Sequence, residues 1–456
     1  MATKRRSFIG LPIKELYQIL NDKDQIEARK ARLIPILKPG DEVALTSVFL
    51  ASLRLINEFR TMISKNVDLA VSGKIHVFTE IKFMEFDSVR PDGMICIERG
   101  GKIVDAALLE MKNGRNDLDK GQIEKYVEIT DAYSIPKLIT VSNQFVSNPR
   151  QSPTSINGRK KAVLYHLSWS FILTLAHILL TDNETNIDDP DQVEIMREVV
   201  DYLEHEKSGV SGFTVMKDGW KVLTERINKG ENVKPSDKDV IEAAESWLQE
   251  ERDMALILSR KLGILVETGV KKYRDDLNGR ISNEVKKVTS NKYLESTLRV
   301  NGAASPIVVK ADFNRRNIEF FTNLPAPMDK PTIRGQLGWI KKQIERMKKH
   351  PEIFDSISKD LSIAFKFKNL PGEERVPIAN LDIFAEEHKS KMLREYGLIL
   401  LCSLGRNFGS PKISIRQIEE SLVAYYQGVV QHLEKWTPPA PEIKKQGVDT
   451  SLSNEI

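Results

Sequence analysis

A chain of 456 residues is longer than one hydrophobic core usually serves, so two or three domains are expected. Its 41 % hydrophobic and 29 % charged residues are ordinary for a soluble globular protein, and a net charge of +4 does not by itself mark a nucleic-acid binder. Two cysteines far apart in sequence, Cys96 and Cys402, exclude a disulfide framework and a cysteine-rich zinc site, which fits a reducing compartment.

The start, MATKRRSF, is basic but has no apolar run behind it, so it does not read as a signal peptide. Residues 11–38 read as one or two short helices that stop near Pro39 and Gly40, giving an N-terminal helical segment over 1–40. Residues 41–64 carry Val43, Leu45, Val48, Leu50, Leu53, Ile56 and Phe59 at helical spacing, with Asp41 as N-cap. The period then changes. Lys74 to Phe83 alternates as a strand, with Ile75, Val77 and Ile81 on one side. Met94 to Ile97 is a second strand, Gly100-Gly101 a hairpin turn, and Lys102 to Lys112 a third strand. A helix follows over 119–133, with Ile123, Tyr126, Val127 and Ile129. Short strands are expected at Lys137 to Val141 and Ala162 to His166, then a buried helix from Leu167 to Leu180. Its most apolar run, Phe171 to Leu180, is half of the roughly twenty residues that cross a bilayer. No membrane partner is expected, and the location is expected to be cytoplasmic. Residues 41–210 therefore read as an α/β domain, a mixed central sheet flanked by helices.

The acidic stretch TDNETNIDDPDQ (181–192) leads into a helix at 193–206 and a loop with Gly209 and Gly212. A boundary is expected between 210 and 235. Residues 237–290 look largely helical. Strands follow at 297–300, 306–312 and 317–322, then a basic helix at 333–349, a strand at 361–367 and helices at 384–403 and 415–436. Residues 235–436 thus read as a second, α+β domain of unknown role, and 437–456 as a disordered tail. From Lys271 to His350 there are 18 Lys and Arg against 8 Asp and Glu, which leaves the rest of the chain net acidic. Such a stretch is either a phosphate-facing surface or a solvated face. The helix at 333–349 shows both possibilities, with Ile333, Leu337, Ile340 and Ile344 on one stripe and Lys341, Lys342, Arg346, Lys348 and Lys349 outside it.

One constellation carries chemistry. Hydrolysis of a phosphodiester needs an attacking water and stabilisation of developing charge, and a carboxylate-held Mg²⁺ supplies both. Glu110 and Lys112 are two apart on a strand and so share a face. The Gly100-Gly101 turn folds the strand that begins at Asp92 back beside them. The backbone carbonyl of Met111 adds a further metal ligand. Lys112 is placed to lower the pKa of a water or to stabilise the leaving charge.

The order of helix with Glu58, strand, Pro91-Asp92, hairpin, Glu110-Met111-Lys112 and helix with Gln122 and Tyr126 resembles the PD-(D/E)xK nuclease superfamily, and in particular its RecB-like branch with the QxxxY motif. The resemblance covers roughly residues 40–180. It implies a restriction-endonuclease-like fold, with Asp92 and Glu110 as metal ligands and Lys112 as the catalytic lysine. It further implies that Gln122 and Tyr126 support the site or contact the DNA backbone, and that Glu58 is a secondary ligand. The segment His166 to Trp169 (HLSW) is similar to the stretch after the core in some bacterial members.

Rival readings stand beside these. Glu80-Ile81-Lys82 repeats the ExK pattern, but only Asp68 precedes it and no QxxxY helix comes after it, so it reads as an edge-strand surface pair. Asp119 to Gln122 fits a capping box in which Gln122 returns a bond to the helix start. Tyr126 is open to a packing role and Glu58 to a surface one. Arg115, Asn116 and Lys120 either touch phosphate or lie in a solvated loop. His166 and His177 read as core or cap residues and Cys96 as a small buried hydrophobe. No GxxxxGK[ST], HExxH or CxxC pair is present. The expectation is a Mg²⁺- or Mn²⁺-dependent nuclease acting on DNA, endonuclease in preference to exonuclease, as a homodimer or with a partner. The alternatives are a nucleic-acid-binding protein with an inactive nuclease fold, and a component of a phage-defence or repair complex whose activity a partner releases.

Overall fold

The structure is a computed structural model that describes residues 7–21, 26–30, 40–86, 88–114, 116–146, 148–154, 156, 161–181, 187–269, 271–273 and 276–437. The expected tail from 438 onward and Arg115 lie outside them. Helix α1 (Ile13–Asn21) and strand β1 (Ile26–Lys30) open the chain. The helical expectation for 11–38 thus needs correction at 26–30, where the backbone pairs antiparallel with β2 (Lys74–Phe83). A five-residue segment has too few turns to hold a helix alone, so an available sheet edge decides its conformation. The expected helix over 41–64 is two helices, α2 (Glu42–Leu55) and α3 (Asn57–Asn66), broken at Ile56, which is extended. Asp41 caps α2 by accepting from the N–H groups of Val43 and Ala44.

Strands β3 (Gly93–Arg99) and β4 (Lys102–Met111) form the hairpin. Helix α4 (Lys120–Tyr133) crosses to β5 (Lys137–Ser142), and β6 (Val163–Ser168) follows. The six strands lie in chain order, β1 to β4 antiparallel and β5 and β6 added parallel. Helices cover both faces. Helices α2, α3, α5 (Trp169–Leu180) and α6 (Pro190–Glu204) pack on Ala107, Leu109 and Met111 of β4. Helices α1 and α4 pack on Ala106 and Leu108, the intervening positions. Period-two alternation therefore sends Glu110 to the α4 face, and Asp92 to the same face in step with Met94 and Cys96.

Strand β2 departs from simple alternation. Ile75 and Val77 face the α2 side, but Ile81 belongs with Phe78 and Phe83 on the α4 side. Glu80, at φ 52°, is the cause. A left-handed residue in a strand inserts a bulge and exchanges the faces beyond it. Gly93 has the tightest fit on β3, since a Cβ there would sit 2.8 Å from Cδ1 of Leu50 on α2.

Helix α7 (Asp218–Asn228) lies within the expected boundary region, and α8 (Lys238–Leu262) is the longest helix among the described residues. Then come β7 (Glu267–Thr268), α9 (Leu277–Asn291), β8 (Tyr293–Arg299), β9 (Ile307–Asp312), β10 (Asn317–Pro325), α10 (Ile333–Met347), α11 (Pro351–Ile357), β11 (Leu361–Phe367), β12 (Glu374–Pro377), α12 (Leu381–Glu387), β13 (Leu393–Ser403) and α13 (Ile413–Gly428). The strands make an antiparallel seven-stranded sheet in the order β12-β11-β13-β10-β9-β8-β7. The expected helix at 384–403 is corrected here: its second half is β13, paired with β10 on one side and β11 on the other. The short apolar run LILL suits a buried strand as well as a helix, and non-local pairing settles it.

One apolar core runs without a break from α2 to α13. Across it, Asp253 of α8 accepts from Ser170 Oγ at 3.2 Å and from the Phe213 N–H at 2.6 Å, and Arg260 donates to Thr174 Oγ1 at 2.9 Å. The stripe of α10 is buried as its spacing predicts. Its basic face is largely paired: Lys341 with Asp382, Arg334 with Glu386, and Arg346 with Glu434. No helix among the described residues is long and apolar enough to cross a membrane.

Candidate active site

Asp92, Glu110 and Lys112 meet at one end of the first sheet, on the face covered by α4. Lys112 Nζ lies 2.6 Å from Glu110 Oε1. The Met111 N–H donates to Asp92 Oδ2 at 2.7 Å. Continuing the register that pairs Gly93 with Leu109 sets Asp92 opposite Glu110 and Pro91 opposite Met111. Proline has no N–H, so it cannot occupy the Met111 carbonyl as a ladder partner would. In an extended strand the N–H and C=O of one residue point to the same neighbour. The Met111 carbonyl is therefore directed to the side on which Asp92 lies.

The surroundings are built to hold this geometry. The Lys112 N–H donates to Val141 O on the other side of β4, at 2.8 Å. Trp169, fully buried at the start of α5, donates from Nε1 to Lys112 O at 2.8 Å. Asn143 ties the following turn to the loop at 209–211, donating to the carbonyls of Gly114 and Gly209 and accepting from the Ser211 N–H. The β2 bulge receives the other strand end: the N–H groups of Glu80 and Ile81 donate to Asp92 O at 2.9 Å and Pro91 O at 3.1 Å. Arg90 pairs with Glu80 at 2.7 Å. Glu80, read from the sequence as half of an edge-strand pair, is thus part of the frame around Pro91-Asp92.

Gln122 donates from Nε2 to Tyr126 Oη at 2.7 Å, and Tyr126 Oη donates to Arg90 O at 3.0 Å. The capping-box reading fails for the Gln122 side chain. Asp119 caps α4 by accepting from the Gln122 N–H, but the amide of Gln122 is turned along the helix to Tyr126. Glu58 sits in the first turn of α3, and among the described residues no group of three or more His, Cys, Asp or Glu is gathered as a metal site. Glu58 thus forms no three-member ligand group with Asp92 and Glu110, and its Oε2 is buried without a hydrogen-bond partner. The second acid at Lys112 is Glu42, in the first turn of α2, 3.7 Å from Nζ. Sequence reading missed it because an acid in a first helical turn is ordinary. Asn116 donates to Glu42 at 3.1 Å, and Lys120 is paired with Glu124 on the surface.

Burial and the Glu110 charge push the Asp92 carboxyl well above the ordinary range, against the pull of the Met111 N–H and Lys112. Burial also raises Glu110, with Lys112 opposing. Burial works against the Lys112 ammonium, but Glu110, Asp92 and Glu42 outweigh it and its pKa is raised. Tyr126 is raised by burial and by the two acids, so it remains a phenol. The Glu110 carboxylate is fully buried, with the Lys112 ammonium 2.6 Å from Oε1 and the Tyr126 hydroxyl and Asp92 carboxyl beside it. Two desolvated acids held together lack a counter-charge for one of them. His166 is elsewhere, buried between Thr140 and the Gln144 carbonyl, and burial pushes it down to about 4. The chain matches no family model, no curated protein and no solved structure.

Proposed function

We propose that the protein is a metal-dependent nuclease of restriction-endonuclease-like fold that hydrolyses phosphodiester bonds in DNA. The observation that carries this is the half-buried Asp92 beside the buried Glu110, with a lysine 2.6 Å from Glu110. The donor set suits Mg²⁺ or Mn²⁺: two carboxylates, a backbone carbonyl at Met111, and open positions for water and phosphate. The buried Glu110 carboxylate and the neighbouring Asp92 share one lysine between them, and a divalent cation would supply the missing positive charge. Bound there, the ion supplies Lewis-acid polarisation of the phosphate and an activated water.

The chain's own residues do the rest. Asp92 is held by the Met111 N–H so that its second oxygen stays available. Lys112 keeps its proton and presents positive charge beside the reacting phosphate, oriented by Glu110 and by Glu42. Tyr126 and Gln122 hold the Arg90 carbonyl and thereby the approach of Pro91-Asp92 to Glu110. The test is cleavage of linear, circular and single-stranded DNA and of RNA in Mg²⁺ or Mn²⁺, beside Asp92→Asn and Lys112→Ala. Wild-type cleavage that both variants retain refutes the site, and cleavage of RNA alone refutes the substrate.

A further inference from the structure

A cavity of about 620 Å³ opens where α8 passes beside the first sheet's helices. It is lined from both halves of the chain, by Asn148, Phe171, Arg252, Tyr273, Arg280 and Arg299 among others. Its cations are incompletely matched. The Arg252 guanidinium rests 4.8 Å over the Phe171 ring, and among the described residues it forms no ion pair. Arg299 donates to Gly269 O at 2.7 Å but pairs with no described carboxylate, although Glu267 lies opposite it across the β7–β8 ladder. Arg280, only 3 % exposed, is held by Glu251 and Glu284 at 2.8 and 3.0 Å, yet its Nε has no acceptor. Thr268 Oγ1, on the same wall, is also buried without a partner.

Arg252 and Arg299 are half-buried with no carboxylate partner among the described residues, and a buried donor left unsatisfied, as at Arg280 Nε, is costly. Burial pushes Arg252 down to about 10, against the opposing pull of Glu251 and Asp253. Guanidinium forks match phosphate oxygens two at a time. The volume falls in the range of small-ligand pockets, roughly 300–1,000 Å³. It is far larger than a bare phosphate, and Phe171, Tyr273 and Val266 offer apolar wall that an inorganic ion cannot use.

We infer that this cavity binds a phosphate ester of nucleotide size, with the phosphate on Arg252 and Arg299 and the organic part against Phe171 and Tyr273. The ligand would bridge α5, α8 and β8 and so tie the two sheets together. A nucleic-acid backbone passing along the surface is the competing occupant, but donors recessed in a cavity walled by both halves favour a small molecule.

The test is isothermal titration calorimetry of the full chain with AMP, adenosine and inorganic phosphate, beside Arg252→Gln, Arg299→Gln and Asp92→Asn. AMP should bind saturably and at least about tenfold more tightly than adenosine or phosphate. Each arginine variant should weaken it at least about tenfold, or about 1.4 kcal/mol. Asp92→Asn should bind AMP as the wild type does, which separates this cavity from the active site. Arg252→Lys keeps the charge and loses the fork. It should melt as the wild type does and still bind AMP more weakly, so that weakened binding is not mistaken for misfolding. Absence of AMP binding overturns the inference, as do equal binding of inorganic phosphate, unchanged affinity in both arginine variants, and binding confined to an oligonucleotide.

Discussion

Asp92→Asn is expected to make the metal-free protein more stable while removing its response to Mg²⁺. The amide keeps an oxygen to accept from the Met111 N–H, now at 2.7 Å, and it keeps the volume. Only the charge is lost, and with it the repulsion from Glu110 and the cost of burying a carboxylate. Stabilising changes of this kind give about 0.5–2 kcal/mol. For the wild type, a divalent ion at about 100 times its Kd adds about 2.7 kcal/mol. The two proteins should therefore change order: the variant is the more stable in chelator, the wild type in saturating Mg²⁺. The sign with pH comes from the raised carboxyl. A raised native pKa contributes stability below the unfolded value and loses it as pH rises. The advantage of the variant should then be present at neutral pH and shrink as the pH falls toward about 4, where the carboxyl is protonated in both states. Urea unfolding followed by circular dichroism, with and without Mg²⁺, measures all three quantities. A variant less stable than wild type in chelator refutes the account of two unmatched acids. A Mg²⁺-induced shift that survives the substitution removes Asp92 from the metal site.

Gln122→Ala and Tyr126→Phe should not add in cleavage assays, because both act through one bonded chain to Arg90, and additive losses would show independent roles. Trp169→Phe removes the donor to Lys112 O and should cost about 1 kcal/mol in urea unfolding, with a lower cleavage rate at unchanged DNA affinity. Asn143→Ala unties the turn after Lys112 from the 209–211 loop and should cost about 1–3 kcal/mol, and a loss below measurement error would show that water replaces it. His166, held near 4, refuses a proton that the unfolded chain takes up below the ordinary value of 6.5. Wild-type stability should therefore fall relative to His166→Gln between those two values, by at most about 1.4 kcal/mol per pH unit, and parallel pH curves would refute the burial argument.

Legibility in the sequence depends on the range of the forces involved. The Asp92, Glu110 and Lys112 geometry rests on two local rules, alternation along a strand and reversal at Gly100-Gly101, and both operate within about twenty residues of chain. That is why the limits of β2 and the capping of α2 by Asp41 also come from the residues alone. The correct face of Ile81 does not, because the bulge at Glu80 exists only through bonding to Asp92 and Pro91, across a ladder that the sequence of β2 cannot display. Pairing likewise decides β1 and β13. Both have compositions open to helix, and a neighbouring edge for β1 or two flanking strands for β13 set the outcome.

The acids divide in the same way. Asp92 and Glu110 are joined by a hairpin, so sequence spacing alone brings them together. Glu42 reaches Lys112 from a helix 70 residues earlier in the chain, and Glu58, with the same residue type on the next helix, does not. Which of two helical glutamates enters the site depends on how α2 and α3 are broken at Ile56 and packed on the sheet, including the close approach of Leu50 to Gly93. The direction of the Gln122 amide is also tertiary, since a capping box and a bond to Tyr126 use the same residues and only the Arg90 carbonyl above Tyr126 distinguishes them. Local chemistry in the sequence thus determined that Asp92, Glu110 and Lys112 come together. Packing between distant elements decided which further groups surround them, because those contacts depend on where whole helices come to rest.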